Sequence, residues 1–158
     1  MRRKDREIPN LPDILDILAR CEVIRLGLCD GNKPYVVPMH FAVGEWEGGM
    51  SIYFHCAKEG RKIDMLTRNA NACFEADNLL RVVPSENACN WSTAFESVMG
   101  EGKITIVLDN AERIRALDAM MVKYGFPGLP VYSAAALEAV CVLRMDVEHM
   151  TAKTNIPT

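Results

Sequence analysis

The sequence predicts a single, mainly β domain over residues 1–158: a closed or partly closed antiparallel barrel with helices only at its periphery. Three observations predict it. The strand-like runs are short, and turn residues separate them at short spacing. The helical stripes stand outside those runs. No alternation of strand and crossover helix is present, nor a G-x-G-x-x-G or G-x-x-x-x-G-K-[ST] loop, which disfavours a Rossmann fold. The length of 158 residues suffices for one substantial core. No internal repeat or low-complexity segment interrupts it.

Asn10 is placed to cap a first helix, with Pro12 in its first turn and Leu11, Ile14, Leu15 and Leu18 as its apolar stripe. A strand follows over Val23–Cys29, and Asp30-Gly31-Asn32 is a hairpin turn signal. Tyr35–Val43 reads as the next strand, with a bulge or an edge position required at Pro38. Glu45–Gly49 is a turn, Ser51–Cys56 a strand, and Arg61–Arg68 a short helix ending near Asn69. Ala72–Val83 alternates as a strand, Pro84–Asn90 is a polar loop, and Trp91–Leu108 is a long strand. Gly100 and Gly102 predict a bend or bulge in that strand. Asp109 caps a helix over Ala111–Tyr124, with Ile114, Leu117, Met120 and Met121 facing inward, and Gly125 ends it. After the rigid loop Phe126–Pro130, a last strand covers Ala139–Val147 before a polar tail.

Apolar residues make up 49% of the chain and charged residues 25%, as in ordinary folded proteins. The net charge of −3 argues against broad nucleic-acid binding but leaves room for one local anion site. No apolar run approaches the roughly 18 residues of a membrane span. The basic N-terminus, Met1 to Glu7, lacks the apolar region of a secretory signal. A cytoplasmic protein without membrane association is expected. Its six cysteines, Cys21, Cys29, Cys56, Cys73, Cys89 and Cys141, form no C-x-x-C pair, so reduced and mostly buried thiols are expected. Their spacing with the three histidines fits no common zinc pattern.

The stretch from Ile52 to Leu66 carries the most chemistry. It reads as a buried strand, a basic turn and the first turns of a helix. Backbone N–H groups, the positive end of a helix dipole and the cations Lys58, Arg61 and Lys62 meet there, which suits a phosphate. A solvated basic turn is the plain alternative. By the same local reading His55 is either a half-buried strand histidine bonded to backbone or an acid, base or donor near neutral pH. Cys56 reads as a buried inert thiol, and Met120 and Met121 as packing residues.

Four segments in this order and spacing resemble the pyridoxamine 5′-phosphate oxidase-like flavoproteins, and within them the 5-nitroimidazole-resistance (Nim) group. They are Met1-Arg2-Arg3-Lys4-Asp5-Arg6-Glu7-Ile8, Pro34-Tyr35-Val36-Val37-Pro38-Met39, Phe54-His55-Cys56-Ala57-Lys58-Glu59-Gly60-Arg61-Lys62, and Ser97-Val98-Met99-Gly100-Glu101-Gly102. The resemblance implies an antiparallel split β-barrel, a homodimer, and a flavin, FMN or FAD, in a groove at the dimer interface. It implies that Arg61 and Lys62 clamp the flavin phosphate, with Gly60 where the wider family often has Ser and Lys58 nearby. It sets Val37, Pro38 and Met39 beside the isoalloxazine ring, and His55 and Cys56 near ring and ribityl chain, His55 being the residue that matches the active-site histidine of the Nim group. Trp91 would stack on the flavin across the dimer interface, or simply pack, and Trp46 is expected at the periphery.

The Arg-x-His motif with which pyridoxamine oxidases hold their vitamin phosphate is missing; the end reads Leu143-Arg144-Met145-Asp146-Val147-Glu148-His149. That substrate is therefore not expected. The resemblance implies instead an FMN-dependent oxidoreductase that takes electrons from a nicotinamide donor and passes them to a small acceptor such as a nitroaromatic. The alternative is a flavin- or haem-binding carrier or sensor of the same fold without turnover, in which His55 could ligate haem iron.

Overall fold

In the computed structural model, which describes residues 3–156, the N-terminal segment pairs at once with the C-terminal one. Met1 and Arg2, the start of the first resemblance segment, lie outside the described residues. Strand β1 (Glu7–Ile8) lies antiparallel to the last strand, Glu7 opposite Lys153. Helix α1 (Leu11–Arg20) starts as expected: the Asn10 side chain accepts from the Asp13 N–H at 3.0 Å, and Pro12 sits in the first turn. Its buried face is Ile14, Ile17 and Leu18, whereas Leu11 is 48% exposed and lies off the stripe.

The strands are β2 (Ile24–Asp30), β3 (Lys33–Met39), β4 (Phe41–Trp46), β5 (Gly49–Ala57), β6 (Asn71–Val83), β7 (Ser92–Ile106) and β8 (Val140–Asn155). All pair antiparallel in one sheet of eight, in the order β3-β2-β6-β7-β8-β5-β4, with β1 off this path on β8. The two ends of the path, β3 and β4, are consecutive in the chain, so the sheet curls on itself as a barrel split between them. Helix α2 (Arg61–Arg68) joins β5 to β6, α3 (Asn110–Lys123) follows β7, and α4 (Ala134–Ala139) leads into β8.

Four expectations are corrected. The single strand over Tyr35–Val43 is two strands, β3 and β4, broken at His40. Tyr124 causes the break: its hydroxyl accepts the Phe41 N–H at 3.1 Å, donates to the Glu22 carbonyl at 2.6 Å, and its ring packs on His40 with centroids 4.9 Å apart. Pro38, by contrast, meets the second of its two expected alternatives: among the described residues β3 pairs only with β2 and is an edge. The polar tail after Val147 is strand: β8 runs to Asn155, where its alternating residues pair with β7. Helix α4 was not expected. On α3, Ile114 is 37% exposed, whereas Glu112, 4% exposed, is buried along with Ala116, Leu117 and Met120.

Two apolar clusters result from the alternation of side chains across the sheet. Phe41, Phe54, Phe74, Leu26, Leu143 and Met145 fill the barrel, and α1 and α2 close it with Ile17, Leu18, Met65 and Leu66. Tyr53, Ala42 and Val142 point the other way and hold α3 through Ala116, Leu117 and Met120. The expected bulge lies between Glu101 and Gly102. A Cβ on Gly102 would stand 2.0 Å from the Asp146 carbonyl oxygen, so the strand turns its corner only with glycine there. The thiols are less buried than expected: Cys73 points outward from β6 between buried Ala72 and Phe74, and Cys89 is on an exposed turn.

Candidate functional site

The β5–α2 junction forms an open helix N-terminus. Gly60 is the N-cap residue at φ 123°, a conformation that favours glycine, and it has no side chain to accept from the first turn. The space a Cβ would enter at Gly60 is empty to 4 Å. The first N–H groups of α2 therefore have no side-chain cap. Burial of Met65 and Leu66 against the barrel fixes the helix, so its N-terminus is rigidly aimed.

Arg61 and Lys62 both reach back to β3. The Arg61 guanidinium lies over the Tyr35 ring, 4.4 Å from its centroid, and Lys62 Nζ donates to Met39 Sδ at 3.0 Å. Among the described residues neither forms a salt bridge, although other surface arginines do: Arg25 with Glu75 and Asp77, Arg68 with Asp30. An aromatic face and a thioether hold these two cations in place without neutralising them. Tyr35 also lines a cavity of about 510 Å³ along β3, with Val36, Gly27 and Cys73 among its walls. In its wall Gly27 and Cys73 pack closely: a Cβ on Gly27 would lie 2.6 Å from Cys73 Sγ.

The remaining expected site residues divide. Met39 is buried and meets Lys62 of α2, Val37 is half-buried against the core, and Pro38 is exposed on the edge strand. His55 is half-buried at the end of β5, with Nδ1 3.2 Å from Met120 Sδ. Burial, and then the positive charge of His40 and Lys62, lowers its pKa below the ordinary histidine value. Cys56 packs on the barrel core, opposite Cys141 of β8. Lys58 turns away to α4, where it pairs with Glu138 at 2.5 Å. Trp91 stands apart at the β6–β7 hairpin, 58% exposed. Sequence reasoning does not mark Tyr35 or His40 as site residues; Tyr35 belongs to one of the resemblance segments, but only the fold shows Arg61 on its ring.

A buried polar cluster lies on the far side of α3. Arg144 Nη1 donates to Glu112 Oε1 at 2.7 Å and its Nε to Asp146 Oδ1 at 2.7 Å, while Tyr53 donates to Glu112 at 3.1 Å. The Trp46 ring covers the guanidinium at 4.2 Å. Burial, and then the Glu112 bond, pushes the Tyr53 hydroxyl up to about 12. Every member is paired, so the cluster fastens α3 to the sheet. Among the described residues no group of His, Cys, Asp or Glu is arranged to hold a metal, and no helix is long and apolar enough to cross a membrane.

The family model described as pyridoxamine 5′-phosphate oxidase matches residues 11–154. No curated relative matches the chain at a significant level. Among solved structures, a candidate 5-nitroimidazole antibiotic resistance protein from Bacteroides thetaiotaomicron is 33% identical, with 94% of this chain and 86% of that one covered and a TM-score of 0.81. The fold also matches the flavocytochrome Anf3 from Azotobacter vinelandii, at 22% identity, 99% and 72% coverage and a TM-score of 0.78. An FAD and heme binding protein from Mycobacterium smegmatis is similar at 20% identity, 96% and 74% coverage and a TM-score of 0.82. With the split sheet, the glycine-opened helix N-terminus and a family match across nearly all its length, the chain belongs to the pyridoxamine 5′-phosphate oxidase family.

Proposed function

We propose that this chain is an FMN-dependent reductase whose acceptor is a nitroaromatic or a similar small molecule. The observation that carries the reading is the pair Arg61 and Lys62, two cations without salt-bridge partners among the described residues at an uncapped helix N-terminus. That donor set suits a phosphate monoester: uncapped backbone N–H groups, a planar guanidinium and an ammonium all belong to the first turn of α2. Tyr35, on which the Arg61 guanidinium lies, gives the site an aromatic neighbour on β3; the cavity of about 510 Å³ that Tyr35 also lines does not include Val37, Pro38, Met39, His55 or Cys56.

Flavin, when bound, supplies the electron-transfer chemistry. The chain's own part is to anchor the phosphate at Arg61 and Lys62, to wall the ring with Val37, Pro38 and Met39, and to place His55 and Cys56 at the strand end beside it. Lys58 contributes through the shape of the turn, because its charge is engaged by Glu138. His55 is neutral at neutral pH by virtue of its lowered pKa, which suits a hydrogen-bonding or positioning group better than a standing cation. Nicotinamide as donor, and a homodimer with the flavin at the subunit interface and Trp91 contributing across it, complete the proposal. The 33% identical resistance protein supports the nitroaromatic acceptor.

Mass spectrometry of the small molecule released from freshly purified protein tests the cofactor, with FMN expected and FAD the alternative. Steady-state oxidation of NADH or NADPH in the presence of a 5-nitroimidazole then tests turnover. Flavin retained without any donor oxidation would leave a carrier or sensor in place of a reductase.

A further inference from the structure

Cys56 and Cys141 are directly opposed across β5 and β8, in register, where the strands leave the barrel. Opposed residues in antiparallel strands have Cα atoms about 4.5 or 5.5 Å apart, and both spacings lie in the roughly 4.4–6.8 Å window of a disulfide. Both side chains point to the same face, into the main core cluster. The two thiols interact: burial first, and then the neighbouring Cys56, raise the pKa of Cys141. Their exposures differ, with Cys56 half-buried and Cys141 only 7% exposed. Cys141 also lines a cavity of about 390 Å³ with Lys58, Arg113 and Glu138, a cavity that Cys56 does not line.

We propose that Cys56 and Cys141 form a reversible redox-modification site that takes small-molecule disulfides as its oxidant. Cys56, the more exposed thiol, attacks one sulfur of the small disulfide as its thiolate. A Cys56 mixed disulfide forms, and one small thiolate leaves and takes up a proton. Cys141, deprotonated in turn, attacks the Cys56 sulfur and expels the second small thiol. Two protein thiols are oxidised to one disulfide, and one small disulfide is reduced to two thiols. The bond ties the end of β5, which leads into the Arg61 and Lys62 turn, to the start of β8. The inference goes beyond the flavin reading and does not depend on it.

The test is peptide mapping of the full chain after treatment with oxidised glutathione and alkylation of the remaining thiols. The expected product is a crosslinked pair of peptides containing Cys56 and Cys141, about 2 Da lighter than the two reduced peptides, that dithiothreitol restores. The exposed Cys73 and Cys89 serve as internal controls for reagent access. In Cys141→Ser the reaction is expected to stop at a Cys56–glutathione mixed disulfide, and in Cys56→Ser the Cys141 thiol is expected to stay unmodified over the same time. A mixed disulfide that persists on Cys56 of the unaltered chain overturns the proposal. So does a map in which both thiols remain alkylatable after Cys73 and Cys89 have reacted. The map of the unaltered chain decides even if a serine variant fails to fold.

Discussion

Lys62 directs its ammonium at the thioether of Met39, Nζ to Sδ 3.0 Å, and so ties the first turn of α2 to the edge strand β3. A thioether is a weak acceptor, so the contact sets the position of the charge while leaving it available to a stronger partner. Arg61 does the same with the Tyr35 ring. Position and electrostatic need are thus separated: β3 supplies the first, and an anion would supply the second.

This gives the first prediction. Arg61→Ala is expected to weaken FMN binding by about 1.5–3 kcal/mol, the range for a hydrogen bond to a charged group. Riboflavin, which has no phosphate, is expected to bind both proteins almost equally. Fluorescence titration with each compound checks this. Equal losses for both would mean that Arg61 supports β3 through Tyr35 and does not hold a phosphate.

The second prediction concerns Glu112. Its carboxylate receives Arg144 and Tyr53 at 4% exposure, and Arg144 is 9% exposed. Glu112→Ala leaves a buried guanidinium with Asp146 as its remaining ionic partner, and a loss of about 3–5 kcal/mol is expected. Glu112→Gln keeps an acceptor for both donors, and the expected loss is smaller, about 1–3 kcal/mol. Urea unfolding of the two variants beside the parent reads the difference. Similar, small losses in both would show that the ionic character of the cluster contributes little.

A third outcome is expected at the β7 bulge. Gly102→Ala sets a methyl group 2.0 Å from the Asp146 carbonyl oxygen, a backbone atom that cannot swing aside. A cost of about 1–3 kcal/mol or more is expected. A melting curve close to that of the parent would show that the β7–β8 corner is pliant.

Features set by neighbouring residues were legible in the sequence. Asn10 and Asp109 cap their helices as read, the Asp109 side chain accepting the Glu112 N–H at 2.7 Å. Gly100 and Gly102 mark the corner, and the strand–turn–helix carrying Arg61 and Lys62 is a contiguous segment. What failed to show depends on partners distant in the chain. The break at His40 is made by Tyr124, and nothing around His40 announces it. Glu112 reads as a solvent residue until Arg144 is known to lie beneath it. The polar residues after Val147 read as a tail, because their apolar neighbours are on β7 and not beside them. Helix α4 did carry a local sign, Ser133 accepting from the Ala136 N–H at 3.1 Å, but six residues leave no apolar stripe to detect.

His55 gives the last prediction, because catalysis and stability pull on it differently. If it faces the ring or the acceptor, His55→Ala is expected to lower turnover per bound flavin by about 10²–10⁴-fold, the usual effect of losing a general acid or base. FMN affinity is expected to fall less, since the phosphate anchors remain at Arg61 and Lys62. Stability follows pH in a definite direction. The folded pKa of His55 lies below the ordinary 6.5, chiefly through burial, so the unfolded chain takes up this proton first as the pH falls. The folded state therefore loses stability as the pH drops through 6.5 and gains nothing from this group well above it. In His55→Ala this part of the pH dependence is expected to vanish. Melting temperatures at about pH 7.5 and 5.5, with turnover per flavin measured in the same preparations, separate the two roles. Unchanged turnover beside a large fall in melting temperature would sink the catalytic role and leave His55 as the residue that packs β5 on Met120.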